Sequence, residues 1–292
     1  SEREASLGSV LMRNMLEAGY KGKLFAINPK HEKVHGVACY KSVEDVPQRL
    51  DLVVMAVRAE KTPALMEACG RAGVKAVILL SGGFSESGAR GALLERQVIE
   101  AAHRHRIRLL GPNCLGIMRP QLGVNATFAH ASALKGSIGL ISQSGALCAA
   151  ILDWANMRHV GFSAVISTGN AVDVGFGEIL DHLVRDPGTD SIMLYAEGID
   201  DARRFMSALR AAARVKPVVV MKAGRHTQRA DAAAFHSGAL VGADDVFDAA
   251  MRRAGVLRIR DFYDFFTATA TLGSGARVHG RRVAIVSNAG GP

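Results

Sequence analysis

The residue best suited to covalent chemistry in this sequence is His236, in the segment FHSGALVG at residues 235–242. The segment follows an apolar run, residues 217–221, that predicts a buried strand, and it precedes a helical apolar spacing over residues 243–253. Backbone N–H groups of the small residues after the histidine would favour an anion beside the imidazole. Because neutral imidazole is a competent nucleophile, His236 is predicted to carry or position a phosphoryl group. A loop histidine that only caps or hydrogen-bonds locally is the competing interpretation.

A second candidate anion site is the run SQSG, which contains Ser142, Ser144 and Gly145. These residues lie between a predicted strand at residues 138–142 and a predicted helix at residues 145–157. Hydroxyl groups and open N–H groups at a helix N-terminus bind anions. Simple N-capping by Ser144 is the alternative, and capping is compatible with anion binding.

An acid that could orient the imidazole follows the apolar run at residues 191–196. The carboxylate of Glu197 could accept the imidazole N–H and stabilise the cationic ring, as the acid of a catalytic triad does. An exposed loop glutamate is the other interpretation. Asp173 is a lesser candidate for shaping the same pocket.

Composition bounds the class of protein. The chain has 292 residues, 49% of them hydrophobic and 5% aromatic, which is typical of about two α/β domains. No apolar run reaches about 18 residues, and the first residues show no signal-peptide pattern. Four scattered cysteines argue against a disulfide framework and a zinc cluster, so a reducing cytoplasm is expected and no metal site is predicted. The net charge of +9 is compatible with nucleic acid, but Lys and Arg are dispersed and no aromatic platform accompanies them. A small polyanionic ligand fits this charge equally well, and much of the excess is expected to be solvated surface. Neither nucleic acid nor a membrane is expected as a partner.

The elements that must position these residues alternate between strand and helix, which predicts parallel βαβ units. Ligands of such sheets bind beyond the carboxyl ends of the strands. The predicted strands are residues 23–28, 52–57, 76–80, 107–110, 138–142, 162–168, 191–196, 217–222 and 256–259. The predicted helices are residues 5–18, 61–73, 92–105, 145–157, 175–184, 202–215, 243–253 and 262–271.

Seven short motifs follow one another along the chain: INPK, SGGFSE, GPNCLGI, SQSGAL, GNAVDV, AEGI and FHSGALVG. Together they resemble the α region of the nucleoside-diphosphate-forming acyl-CoA synthetases, the superfamily that includes succinyl-CoA synthetase. The resemblance implies a Rossmann-like CoA-binding domain at residues 1–125 and a linker at residues 126–136. A succinyl-CoA-ligase-like flavodoxin domain with a phosphohistidine loop is then expected at residues 137–277, and the start of a further α/β domain at residues 278–292.

The same resemblance implies two sets of binding residues beside the catalytic pair His236 and Glu197. Lys30 supplies a point charge for phosphate and the paired glycines permit close backbone approach, although each of these residues is also a plausible turn residue. The CoA contacts are expected at Ser1, Arg3, Lys30, Val57, Ser81, Gly82, Gly83 and Asn113. The phosphate contacts are expected at Ser142, Ser144, Gly145, Ser237 and Gly238.

Both ends of the chain depart from the family pattern. The first strand and its glycine-rich turn, which would cradle the CoA phosphates, are missing before Ser1, and residues 281–287 read as a new buried strand. We therefore expect this chain to be a piece of a longer protein.

Two functions are consistent with the resemblance. The first is an ADP-forming acyl-CoA synthetase, with acetyl-CoA the expected substrate. Acyl-CoA and phosphate would yield acyl phosphate and CoA, and His236 would pass the phosphoryl group to ADP. ADP or ATP and Mg²⁺ would bind an ATP-grasp region in cis or in trans, in a homo- or hetero-oligomer.

The second is the acetyl-CoA-sensing region of a bacterial GNAT-type protein lysine acetyltransferase. The presence of His236 favours the enzyme. Against the enzyme, the residue before it, commonly serine or glycine in the family, is the bulky Phe235. The sequence of the second domain at residues 197–217 and 241–256 also resembles that of the fused acetyltransferases.

Overall fold

In a computed structural model, the structure describes residues 6–199, 201–223, 244–275, 280–282, 284 and 286. The helices in this part of the chain are α1 (Leu7–Glu17), α2 (Thr62–Arg71), α3 (Ala89–His105), α4 (Gly145–Met157), α5 (Phe176–Arg185), α6 (Ala202–Ala213), α7 (Asp244–Ala254) and α8 (Phe262–Gly273). The strands are β1 (Ala26–Ile27), β2 (Lys33–Val34), β3 (Val37–Tyr40), β4 (Leu52–Met55), β5 (Ala76–Leu79), β6 (Arg108–Leu110), β7 (Gly116–Arg119), β8 (Val124–Thr127), β9 (Leu134–Ser142), β10 (Gly161–Ser167), β11 (Ser191–Ala196), β12 (Val218–Lys222) and β13 (Leu257–Ile259).

The first part of the chain is built on the parallel strands β4, β5 and β6, in that spatial order. Short apolar runs make these strands, and α2 and α3 pack together beside them. The core there contains Met66, Leu79, Phe84, Val98 and Leu109, each no more than 1% exposed. A separate small sheet, in the order β1, β3, β2, joins a parallel pair to an antiparallel one. The carboxyl ends of β1 and β4 are at Ile27 and Met55.

The second sheet has seven strands in the order β13, β12, β11, β9, β10, β7, β8. Its first five strands are parallel, and their order is that of flavodoxin, so the predicted fold class is confirmed. These strands are apolar along most of their length because helices cover both faces. Side chains of α5, α6 and α7 form the core on one face, including Leu180, Leu209 and Met251. Helices α4 and α8 cover the other face, with Leu152 and Phe265 fully buried.

The hairpin of β7 and β8 extends the second sheet, because β7 pairs antiparallel with β10. The chain therefore passes from the first sheet to the second between β6 and β7. The predicted boundary at residue 125 falls inside β8. The segment at residues 126–136 holds the end of β8 and the beginning of β9. Four-residue strands carry too few side chains to show alternation in the sequence.

Helix α1 packs on β8 and so connects the beginning of the chain to the second sheet. The side chain of Asn14 is buried there and donates to the carbonyl oxygens of Thr127 and Ala129, at 2.9 Å each. The carbonyl groups that follow this edge strand are therefore satisfied by a side chain more than a hundred residues away.

In the described part of the chain, no helix has the length and the apolarity that crossing a bilayer requires.

Candidate functional site

A basic cavity of about 470 Å³ lies beyond the carboxyl ends of β1 and β4. Three cationic side chains line it, those of Lys30, Arg58 and Lys61, together with Ala56 and Val57. The structure thus brings the predicted Lys30 and Val57 together and adds two cations that the sequence reasoning missed. Their signal was available, since both follow the predicted apolar strand at residues 52–57, and ligands of such sheets bind beyond the strand ends. Three cations around one cavity suit a polyanion.

A tight glycine turn, residues 81–86, packs against Ala59 in the segment between Arg58 and Lys61. Gly83 has a φ of +100°, which glycine adopts freely, and its Cα faces Ala59, the residue after Arg58. The carboxylate of Glu86 accepts hydrogen bonds from the N–H groups of Gly83 and Phe84, at 2.6 and 3.1 Å. The N–H of Gly83 is therefore bonded within the turn.

Gly82 lies between two polar side chains. A Cβ atom added at Gly82 would lie 3.0 Å from Oε1 of Glu86 and 3.1 Å from Oδ1 of Asn113. Asn113, with a φ of +59°, donates its N–H to the carbonyl oxygen of Ser81 at 2.9 Å. The predicted residues Ser81, Gly82 and Asn113 are thus in one place, and a side chain at position 82 would crowd both polar neighbours.

The carboxyl group of Glu86 stays ionised by its hydrogen bonds. Burial alone would raise its pKa, but hydrogen bonds from Asn170 and from the backbone amides of its own turn hold the pKa below the ordinary value. An ionised Glu86 accepts at both oxygens, and this fixes the shape of the turn.

The N-terminus of α4 forms the second candidate site. Ser144 caps the helix, since its Oγ accepts from the N–H of Leu147 at 3.3 Å. Ser142 is buried, and its Oγ donates to the carbonyl oxygen of Ser144 and accepts from the N–H of the same residue. The hydroxyl of Ser142 therefore shapes the loop. Ser144 and Gly145 are partly exposed, and the first-turn amides of a helix have no intrahelical acceptor.

Gln143, which the sequence reasoning passed over, connects this loop to Glu197. Its side-chain Oε1 accepts from the N–H groups of Glu197 and Gly198, at 2.5 and 3.0 Å, and its own N–H donates to the carbonyl oxygen of Tyr195. Gln143 is 9% exposed, so these bonds lie largely away from water. The predicted phosphate loop and the predicted orienting acid are thus held as one unit.

Removing this acceptor should loosen the turn that carries Glu197. In Gln143→Ala the two amides lose their partner at a cost of about 1–3 kcal/mol, whereas Gln143→Glu keeps an acceptor there. Hydrogen–deuterium exchange should show faster exchange of the Glu197 and Gly198 amides in the alanine variant only. Gln97→Ala, on an exposed face of α3, is the matched control. Unchanged exchange in Gln143→Ala would contradict the assignment.

Asp173 binds the first residues of β6. Its Oδ2 accepts from the N–H of Leu109 at 2.7 Å and from Nε of Arg108 at 3.0 Å. The GNAVDV loop runs back along β6, where the N–H of Val174 donates to the carbonyl oxygen of Leu109. Asp173 therefore joins its loop to β6, and its predicted part in shaping the phosphate pocket stays a prediction.

The environment of Cys114 disfavours a thiolate. Burial raises the pKa of its thiol to about 12, and Sγ donates to the carbonyl oxygen of Leu79. Within the described residues there is also no group of three or more His, Cys, Asp or Glu side chains that could hold a metal ion.

Some predicted site residues lie outside the described part of the chain. These are Ser1, Arg3, His236, Ser237 and Gly238. Most of residues 278–292, the predicted start of a further domain, lie outside it as well. The roles of all the predicted site residues stay predictions.

Two family models match the chain. The CoA binding domain matches residues 1–120, and the succinyl-CoA ligase like flavodoxin domain matches residues 135–272. Two curated relatives match along the whole chain. An acetate–CoA ligase (ADP-forming) I of Archaeoglobus fulgidus is 40% identical, and the α subunit of such a ligase from Pyrococcus furiosus is 38% identical. The chain spans 42% of the first relative's length and 64% of the second's.

A solved structure shows the same fold. It is a dinucleotide-forming acetyl-coenzyme A synthetase 1 of Ca. Korarchaeum cryptofilum, in complex with phosphate and ADP. The TM-score is 0.88 at 36% sequence identity, over 92% of this chain and 58% of that one.

Proposed function

The chain belongs to the nucleoside-diphosphate-forming acyl-CoA synthetase superfamily, and we propose that it is the α region of an ADP-forming acyl-CoA synthetase acting on acetyl-CoA. The names of the relatives, acetate–CoA ligases, support the acyl group. In this proposal the first domain binds CoA and the second handles phosphate.

The observation that carries the proposal is that the N-terminus of α4 packs against the GPNCLGI segment, which also carries the predicted CoA contact Asn113. Gly145, at the N-terminus of α4, lies against Leu115, 3.3 Å from the position of an added Cβ. Leu115 follows the predicted CoA contact Asn113 by two residues, and its N–H donates to Oγ of Ser167. A thioester bound at the glycine turn would therefore end close to an anion held at the helix N-terminus.

The proposed chemistry balances without a redox partner. A phosphate oxygen attacks the thioester carbonyl carbon, the C–S bond breaks, and CoA leaves as a thiolate. A ring nitrogen of His236 then attacks the phosphorus of the acyl phosphate, and the carboxylate leaves. Glu197 would orient the ring and stabilise its cationic form. Ser144, Gly145, Ser237 and Gly238 would hold the phosphate.

Transfer from the histidine to ADP needs a further region. We assign ADP or ATP and Mg²⁺ to an ATP-grasp region in cis or in trans, which the word subunit in the names of two relatives supports. The proposal also places the protein in the reducing cytoplasm, consistent with the thiols of Cys69, Cys114 and Cys148, which form no disulfide bond.

Neutralising the basic cavity should weaken CoA binding. Because Lys30 and Lys61 line the cavity, the exchange of either for glutamine should raise the Kd for CoA about tenfold, which corresponds to ~1.4 kcal/mol. Isothermal titration calorimetry of the full-length protein with CoA measures the effect. Lys41→Gln, an exposed site that loses the same charge, should leave the Kd within about twofold. If the unaltered protein gives no saturable heat with CoA, the proposed function is wrong.

A further inference from the structure

One amide side chain connects the second domain to the glycine turn of the first. Nδ2 of Asn170, in the GNAVDV loop, donates to Oε2 of Glu86 at 2.8 Å and to Oε2 of Glu95 at 3.0 Å. Oγ of Ser85 lies 3.2 Å from the same nitrogen. The other atom of the amide, Oδ1 of Asn170, accepts from Nδ2 of Asn113 at 3.4 Å. The orientation of this amide is dictated by its surroundings, since the flipped form would direct the carbonyl oxygen at two carboxylates.

The backbone of Asn170 and of the residue before it also contacts the first domain. The N–H of Asn170 donates to the carbonyl oxygen of Pro112 at 2.9 Å. The preceding residue, Gly169, lies so close to Pro112 and Asn113 that an added Cβ would overlap their carbonyl oxygens, at 2.1 and 2.4 Å. The side chain of Asn170 is therefore delivered to the glycine turn by a fixed backbone.

Two of the partners of the Asn170 side chain, Glu86 and Asn113, flank Gly82. Glu86 has one oxygen on Asn170 and the other on the N–H groups of Gly83 and Phe84, and this second oxygen would lie 3.0 Å from a Cβ at Gly82. Asn113, on the other side of Gly82, is bonded to the same Asn170.

We infer that Asn170 is a positioning residue, which holds the glycine turn and Asn113 in the geometry that binds CoA. The inference rests on the proposed function, because the contact of this turn with CoA belongs to that proposal. Asn170 acts through Glu86 and Asn113, and its Nδ2 donates to the carboxylates of Glu86 and Glu95 at once.

Asn170→Asp tests this by exchanging the donor for a third carboxylate. The groups that face it are Glu86 and Glu95, while the charged side chains further along the loop and on β6, Asp173 and Arg108, are bonded to each other. At about pH 8 the three carboxylates repel one another, so the turn should open and the Kd for CoA should rise about tenfold. As the pH falls towards about 5.5, a protonated carboxyl group can donate again, and much of the affinity should return.

A second exchange separates positioning from folding. Glu95→Gln on the Asn170→Asp background places an amide where a carboxylate was, which restores one donor among the acceptors. This double variant should recover most of the CoA affinity at about pH 8. Gln121→Glu makes the same chemical change at an exposed side chain bonded to the carbonyl oxygen of Gly136, and it corrects for the pH dependence of CoA itself.

Calorimetric titration of the full chain with CoA at both pH values gives a clear outcome. Tenfold weakening at high pH, recovery at low pH and rescue by Glu95→Gln support the inference. A Kd for Asn170→Asp within about twofold of the control overturns it, and so does a loss that neither pH nor Glu95→Gln relieves. An unaltered protein that does not bind CoA would instead mark the failure of the proposed function.

Discussion

Replacing His236 by asparagine is expected to abolish the retention of phosphate on the protein while leaving CoA binding intact. Asparagine is close in size and can keep a loop hydrogen bond, but its amide cannot act as a nucleophile. The measurement is radiolabelled phosphate bound to full-length protein after incubation with acetyl-CoA and phosphate. The label should be stable in base and lost in acid, as a phosphorus–nitrogen bond requires.

Glu197→Gln should lower the same label without removing it. The exchange takes away the charge that would orient the imidazole and stabilise its cationic form, but the nucleophile remains. His103→Asn, at an exposed position of α3, makes the same chemical change as the His236 variant and should leave the label unchanged. If full-length protein binds acetyl-CoA and carries no label, the synthetase proposal is wrong, and the sensor of a GNAT-type acetyltransferase becomes the better account.

The sequence was most informative about features that depend on one element alone, such as the burial of a strand or the first residue of a helix. The apolar run at β11 has all six residues buried, and α4 begins at the residue after its capping Ser144, as the local pattern predicts. Strands of this length and burial leave a continuous signal in the sequence. The order of the parallel strands came from the family resemblance rather than from the residues themselves.

Contacts between distant residues left no such signal. Asn170 and Glu86 are 84 residues apart, and Asn14 meets Thr127 across 113 residues. Each is an ordinary polar residue in its own segment. Asp173 illustrates the same limit, because nothing in its own motif indicates that its partners lie in β6 of the other sheet. Periodicity reports which face of an element is buried and does not report its neighbours.

Gly169→Ala should produce the largest loss of stability among the variants considered for the contact between the two domains. Gly169 has a φ of +56°, which costs an L-residue about 1–2 kcal/mol. The added Cβ would also lie 2.1 Å from the carbonyl oxygen of Pro112 and 2.4 Å from that of Asn113, and such overpacking costs typically ~1–3 kcal/mol. These neighbours are backbone atoms, so no side chain can rotate to make room. The free energy of unfolding should fall by about 2–5 kcal/mol, as measured by urea denaturation.

Gly73→Ala separates the two causes of that loss. Gly73 has a φ of +73°, but no atom lies within 4 Å of the position of its Cβ, so only the backbone strain of about 1 kcal/mol applies. Gly169→Ala should also weaken CoA binding, because the displaced loop carries Asn170 away from Glu86, whereas Gly73→Ala should not. Equal losses of stability in the two variants, with equal affinities for CoA, would mean that the loop does not press on the GPNC turn, and the proposed coupling between the two sites would lose its structural basis.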